Sequence, residues 1–178
     1  MSEPDRLVVR LALASELGRA GDLTERAYRV DGFLEGDEGY ATSLRDTAAR
    51  SSEAELWVAV EGQTVLGTVT YCPIGSPLRE LAVRDDQAEF RMLAVDPAAR
   101  GRGVGQALVE FCVARARRSG AREVVISSLS AMHAAHRLYA SLGFQRAPDL
   151  DWSPDPGVLL HGYRLALNGV EPPSAGLV

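Results

Sequence analysis

The spacing of apolar residues divides the chain into strands and helices. Residues 7–13 alternate loosely and predict a first strand. Over residues 15–29 the apolar positions return at helical spacing, although Gly18 and Gly21 weaken that helix enough to split it. Residues 32–40 are rich in glycine and acid and predict a loop, with a helix over residues 42–50. Two runs rich in β-branched residues, 55–60 and 64–71, flank Glu61-Gly62 and predict a hairpin. Residues 76–87 read as an irregular polar excursion ahead of a strand over 88–95. That strand stops at Asp96-Pro97, because proline cannot donate to a ladder. An amphipathic helix begins near Gln106, followed by a buried strand over 121–128 and a helix carrying Tyr139. A closing strand pair is expected near 144–146 and 158–165. The order predicts one domain over residues 6–167, and residues 168–178, with two prolines and two glycines, predict a loose tail.

Between the strand ending at Val95 and the helix from Gln106 lies Arg100-Gly101-Arg102-Gly103-Val104-Gly105. Strand, glycine-rich loop and helix in that order form an anion cradle. Glycines expose successive backbone N–H groups, and the first helical turn leaves its own N–H groups unpaired with positive partial charge. Phosphate or pyrophosphate is the natural guest. A dinucleotide fingerprint would need glycine where Gln106 stands, and a P-loop would need Gly-Lys-Ser/Thr, which is absent.

The spacing Arg100-x-x-Gly103-x-Gly105 resembles the acetyl-CoA signature of the GNAT superfamily of N-acetyltransferases. Downstream, Ala135, Leu138, Tyr139, Gly143 and Phe144 meet the family's Ala-x-x-Leu-Tyr-x-x-x-Gly-Phe helix motif. Many relatives place Asn three residues before that Ala, at a cofactor-binding position that is Met132 here. The resemblance implies an α/β (α+β) fold, with a mixed, mostly antiparallel central sheet flanked by helices and splayed fourth and fifth strands. It implies acetyl-CoA as donor. Met92, Leu93, Ala94 and Val95 would pair with the pantetheine arm, and Arg100, Gly101, Arg102, Gly103, Val104 and Gly105 would hold the pyrophosphate. Tyr139 would protonate the leaving thiolate, and Glu89, eleven positions before Arg100, would act as general base; the backbone N–H near Leu93 would polarise the carbonyl. The implied reaction is direct acetyl transfer to a primary amine, a small molecule favoured over protein. A non-catalytic acetyl-CoA-binding sensor is the alternative. Read from the residues alone, Tyr139 could also be a core aromatic and Glu89 a solvent-facing strand residue.

Composition narrows the rest. The chain has 178 residues, 46% of them hydrophobic, enough for one domain with a sizeable core. Cys72 and Cys112 fall within apolar patterns and read as core residues rather than a disulfide. The N-terminus lacks a signal-peptide pattern, and no apolar run reaches the length of about 18 residues that a membrane span needs. A cytoplasmic protein is the expectation, and a homodimer is compatible with it. A net charge of -5 argues against nucleic acid, so Arg115, Arg117, Arg118 and Arg122 read as a solvated helix end. His133 and His136 sit three apart on one helix without an apparent third ligand, so no metal is expected, and His161 could face the acceptor cleft or solvent. Glu35, Asp37, Glu38 and Tyr40 in one loop, and Asp149, Asp151, Trp152 and Asp155 in another, would attract a cationic amine.

Overall fold

A computed structural model describes residues 6–167 of the chain, so the expected tail at 168–178 lies outside the described residues. Seven strands form one sheet: β1 (Val8–Leu11), β2 (Glu55–Glu61), β3 (Thr64–Cys72), β4 (Gln87–Val95), β5 (Glu123–Leu129), β6 (Gln145–Arg146) and β7 (Leu160–Ala166). Their spatial order is β1-β2-β3-β4-β5-β7-β6. All neighbours pair antiparallel except β4 and β5, which are parallel. The helices are α1 (Leu17–Val30), α2 (Glu38–Arg45), α3 (Thr47–Glu53), α4 (Val104–Arg118) and α5 (His133–Ser141). This is the mixed, mostly antiparallel sheet with flanking helices that the family resemblance implies.

Two cores, one on each side of the sheet, explain which helix goes where. In α4 the buried residues Val104, Leu108, Val109, Cys112, Val113 and Ala116 recur at helical spacing and pack with Val69, Phe90 and Ile126. On the other face Ala20, Leu23 and Ala27 of α1 meet Leu44 of α2 and Val58 and Val60 of β2. Cys72 and Cys112 are free and buried, as their setting in the sequence suggested.

The helix expected to weaken at Gly18 and Gly21 runs unbroken. A Cβ at Gly21 would lie 2.3 Å from the Arg45 carbonyl oxygen, so this glycine lets α1 and α2 approach closely. The single helix expected over 42–50 is instead two. Asp37 accepts from the Tyr40 N–H at 2.8 Å and caps α2, which therefore starts inside the expected loop. Asp46, itself outside helical geometry, accepts from the Ala49 N–H at 3.0 Å and restarts the chain as α3.

Two irregularities in β4 position the site. Its ladder with β5 spans only three pairs, Gln87 with Glu123 through Glu89 with Val125, and then the strands part. Opposite β3, the register shifts between Thr68 and Thr70, where β4 carries an extra residue. Met92, at φ 54°, lies in that bulge and takes the left-handed conformation, which costs a non-glycine residue about 1–3 kcal/mol. The bulge turns the backbone of β4 just where its neighbour leaves it.

Candidate active site

Where β4 and β5 part, two cavities meet. The larger, about 790 Å³, runs past Leu93, Ala94 and Val95, the loop at Gly101 and Gly103, and the start of α4 at Val104 and Gly105. The smaller, about 80 Å³, is lined by Glu89, Arg91, Tyr40, Tyr139 and Trp152 among others. Tyr28, Leu93, Met132 and Ala135 line both, so the two spaces adjoin at the strand gap.

The large cavity has the form of the expected anion cradle. Gly101 and Gly103 hold φ of 76° and 78°, and a Cβ at either would meet nothing within 4 Å. The glycines therefore supply the left-handed turn and leave open space over the backbone. Gly103 caps α4 without a side-chain bond, so the N–H groups of the first turn keep their free valence towards that space. A long apolar wall of Leu93, Val95 and Leu138 leads from the cradle to the gap. The cavity thus offers backbone N–H groups to an anion and an apolar side to whatever carries it.

The side chains expected at the cradle divide. Arg100 lines the cavity, but its guanidinium closes on both oxygens of Asp31, at 2.9 and 2.8 Å. The pair is a neutralised clamp at the mouth rather than a free cation. Arg102 points away and binds Glu61 at 2.5 Å, leaving only its backbone for the loop. Met92 lines the small cavity and not the large one, because the bulge turns it across the strand gap; Leu93, Ala94 and Val95 do border the large cavity. Met132, at the position where the resemblance implies Asn, presents an apolar side to both cavities.

Tyr139 is buried within an aromatic cluster, 6.2 Å from Phe90, 5.7 Å from Phe144 and 5.8 Å from Tyr163 between ring centroids. It also lines the small cavity. Burial pushes its phenol well above the ordinary value, with Cys112 and Tyr163 adding in the same direction. The residue is thus a core aromatic whose phenol stays protonated beside the gap.

Glu89 does not face solvent; it is 3% exposed. Its Oε2 accepts from the backbone N–H groups of Glu80, Leu81 and Ala82 at 3.0, 2.9 and 2.9 Å, fastening the irregular segment before β4. Gln87 does the same for Val83 and Arg84. Burial raises the Glu89 carboxyl above the usual carboxylate range, against the pull of these three donors and of Arg91. One carboxylate therefore anchors a loop and borders the small cavity.

Other candidates resolve differently. His136 stacks on His161, with ring centroids 6.0 Å apart, and lies 5.2 Å from Tyr163. Burial lowers the His136 pKa, and neither ring is among the residues lining the cavities. No group of three potential ligands spaced for a metal occurs among the described residues. The acids expected to attract a cation are largely spent on structure. Asp37 caps α2, Glu38 pairs with Arg29, Asp149 with Arg164, and Asp151 with Arg146. The aromatics beside them, Tyr40 and Trp152, are what reach the small cavity. In the basic cluster, Arg115 binds Glu55 at 2.7 Å and covers the Tyr71 ring, and Arg118 covers Phe111. No helix among the described residues is long and apolar enough to cross a membrane.

Sequence reasoning missed Tyr28, Asp31 and Arg91. They come from α1, its C-terminal cap and mid-β4, and nothing in their local sequence marks them. Only the closing of α1 over β4 brings Tyr28 and Asp31 to the site, whereas Arg91 stands on β4 itself, two residues from Glu89.

Comparison with known proteins agrees with this outline. The profile of the "Acetyltransferase (GNAT) family" matches residues 21–144. Human N-acetyltransferase 8B is 36% identical over 90 residues, which are 51% of this chain and 38% of that protein. The N-acetylaspartate synthetase of Danio rerio is 33% identical over 102 residues, 57% of this chain and 33% of that protein. The alignments thus take in well under half of these relatives' length. Among solved structures, a Salmonella typhimurium protein described as an acetyltransferase, with its cofactor acetyl-CoA, superposes with a TM-score of 0.65 at 22% identity. That match covers 96% of this chain and 99% of the other. A GNAT-family acetyltransferase from Staphylococcus aureus gives 0.70 at 13% identity, covering 92% and 100%.

Proposed function

The chain belongs to the acetyltransferase (GNAT) family, and on that premise we propose that it transfers an acetyl group from acetyl-CoA to the amine of a small acceptor by direct attack. The observation that carries this reading is the junction of the two cavities at the parting of β4 and β5. Tyr28, Leu93, Met132 and Ala135 border both spaces, and Tyr139 and Glu89 border the acceptor side.

Bound in the large cavity, acetyl-CoA would supply an activated thioester. The backbone of residues 101–105 would hold its phosphates, and the edge of β4 at Leu93 to Val95 would pair with its arm as an added strand does. The Leu93 N–H, re-aimed by the bulge, is the donor suited to polarising the carbonyl. An ammonium group sheds two protons on becoming an amide. Glu89 takes one, directly or through water, and Tyr139 relays the other to the departing sulfur. A raised phenol pKa suits that relay, because a thiolate in equally dry surroundings is raised as well. The molecule's own Cys72, largely through burial, is pushed up to about 12.

The small volume beside Tyr139 favours a small-molecule acceptor, as does a relative named for the synthesis of N-acetylaspartate. Two unbridged buried cysteines suit a reducing compartment such as the cytoplasm. A sensor that binds acetyl-CoA without turnover would have no use for an acceptor cavity fitted with Tyr139 and Glu89. Thiol release from acetyl-CoA, measured across a panel of amines, tests the reading. Amine-dependent release is expected, and tight acetyl-CoA binding without release from any amine would refute it.

A further inference from the structure

The charges lining the small cavity are mixed, with Arg91 standing beside Glu80 and Glu89. Arg91 lines it from β4, its Nη1 donating to the Leu78 carbonyl and to Glu80 Oε1, both at 2.9 Å. Opposite Arg91 in the β3–β4 ladder stands Thr70, whose hydroxyl accepts from Arg50 Nη1 at 2.9 Å. Arg50 is 5% exposed, gives Nη2 to the Leu44 carbonyl at 2.6 Å, and leaves its Nε without a partner. No carboxylate among the described residues lies within ion-pair distance of it. A buried guanidinium normally keeps an anion beside it, since an unpaired charge in a dry interior is costly. Burial duly lowers Arg50, to a pKa of about 10, against a weak pull from Asp46 and with three further titratable groups, Tyr28, Tyr40 and Arg91, acting on it. Those three residues line the small cavity.

Arg91 pairs with Glu80 through Nη1 alone, while Arg50 reaches the same strand pair at Thr70 and does not itself line the cavity. Glu89 has Oε2 filled by three backbone donors, which leaves Oε1 for the proton of an incoming amine. The arginine end of the cavity thus keeps Arg91 Nη2 and Nε for an anion, because its ion pair and its carbonyl bond both use Nη1. Glu89 and Arg91 are two residues apart on one strand face, roughly 6–7 Å along the strand. A molecule with an amine and an anion a few ångströms apart spans that interval.

We propose that the acceptor is an α-amino acid or a close derivative. Its carboxylate is bound by Arg91 with the field of Arg50 behind it, and its amine is turned towards Glu89 and Tyr139. The inference rests on the acetyl-transfer reading and names the substrate class of that same site. Tyr40 and Trp152 supply the apolar sides on which a side chain would rest.

The test uses matched triplets on the full chain: an L-amino acid, its α-amide, and the amine that remains when the carboxyl is removed. Thiol release is followed for each. A kcat/KM at least tenfold higher for the amino acid than for both partners is expected. Arg91→Gln should erase most of that preference through KM, and Arg91→Lys should restore part of it. Arg91 is partly exposed, so these variants are better tolerated than changes at Arg50, and circular dichroism confirms their folding. Equal or better turnover of amides and plain amines overturns the proposal while leaving acetyl transfer standing. If no triplet is turned over, calorimetry with the amino acids alone still decides. Binding that Arg91→Gln abolishes supports the carboxylate site, and no binding overturns it.

Discussion

Replacing Glu89 separates its two jobs. In Glu89→Ala the N–H groups of Glu80, Leu81 and Ala82 lose their acceptor. A buried donor left unpaired costs about 1–3 kcal/mol, but Glu80 is exposed and Leu81 partly so, and both can turn to water. Ala82 cannot, so the expected loss is about 1–3 kcal/mol, a fall in Tm of roughly 2–12 °C. In Glu89→Gln the amide oxygen still accepts those bonds, and the charge removed is one that burial already disfavours. Stability should stay within about 1 kcal/mol of wild type at neutral pH. The sign follows from the raised pKa. The wild-type carboxyl favours the folded state below its unfolded pKa and loses that contribution as pH rises through the folded value, so the Gln variant gains on wild type with rising pH. Activity runs the other way, because only the ionised carboxylate accepts a proton. Wild-type kcat/KM should fall as pH drops through a value above the ordinary glutamate pKa of about 4.3. Glu89→Gln should lose that limb, lie below wild type at neutral pH, and recover as more acceptor arrives deprotonated. Stopped-time thiol release with a thermal melt at each pH reads both effects. A Gln variant with the wild-type rate and the same acid limb would reduce Glu89 to a loop anchor.

Tyr139→Phe keeps the aromatic packing and deletes the donor, so kcat should drop on the order of 10²-fold with acetyl-CoA affinity by calorimetry unchanged; an equal kcat returns Tyr139 to a packing role. Gly103→Glu sets a side chain on a backbone at φ 78° and a carboxylate over the cradle. Acetyl-CoA binding should weaken at least tenfold, about 1.4 kcal/mol, and unchanged affinity in a folded variant would remove the cradle from the reading. Gly21→Ala collides with the Arg45 carbonyl and should cost about 1–3 kcal/mol, whereas Gly18→Ala, with open space around it, should gain up to about 1 kcal/mol. Thermal melts of the pair check the close approach of α1 and α2.

Much of this was open to the sequence because it depends on local rules. The strand–glycine–helix order at 95–106 and the Tyr139 helix carry their own period and turn chemistry, and both stand where expected. The split between α2 and α3 was also written locally, as Asp46 three residues before Ala49, but the surrounding helical propensity masked that cap. Gly21 could not be read without Arg45, since a glycine weakens a helix in isolation and permits packing only against a partner. The site's charges are the least legible part. Glu89 was found from its place in a motif, but its three N–H partners lie in a segment with no period at all. Arg100 and Arg102 looked like free cations until Asp31 and Glu61, some 69 and 41 residues away in sequence, came against them. Arg50 and Arg91 carry no motif and are joined only through Thr70 and the ladder.

The three ladder pairs between β4 and β5 make the sheet two panels sharing a short seam. On one side β1 to β4 close among themselves, and on the other β5 to β7 do, each by longer antiparallel pairing. Most of the backbone pairing therefore never crosses the place where the two cavities meet. A residue changed at the seam alters what fits there while leaving both panels' own hydrogen bonds intact. Side chains along the join can therefore change at small cost to either ladder, Glu89 excepted, whose carboxylate also fastens the segment before β4.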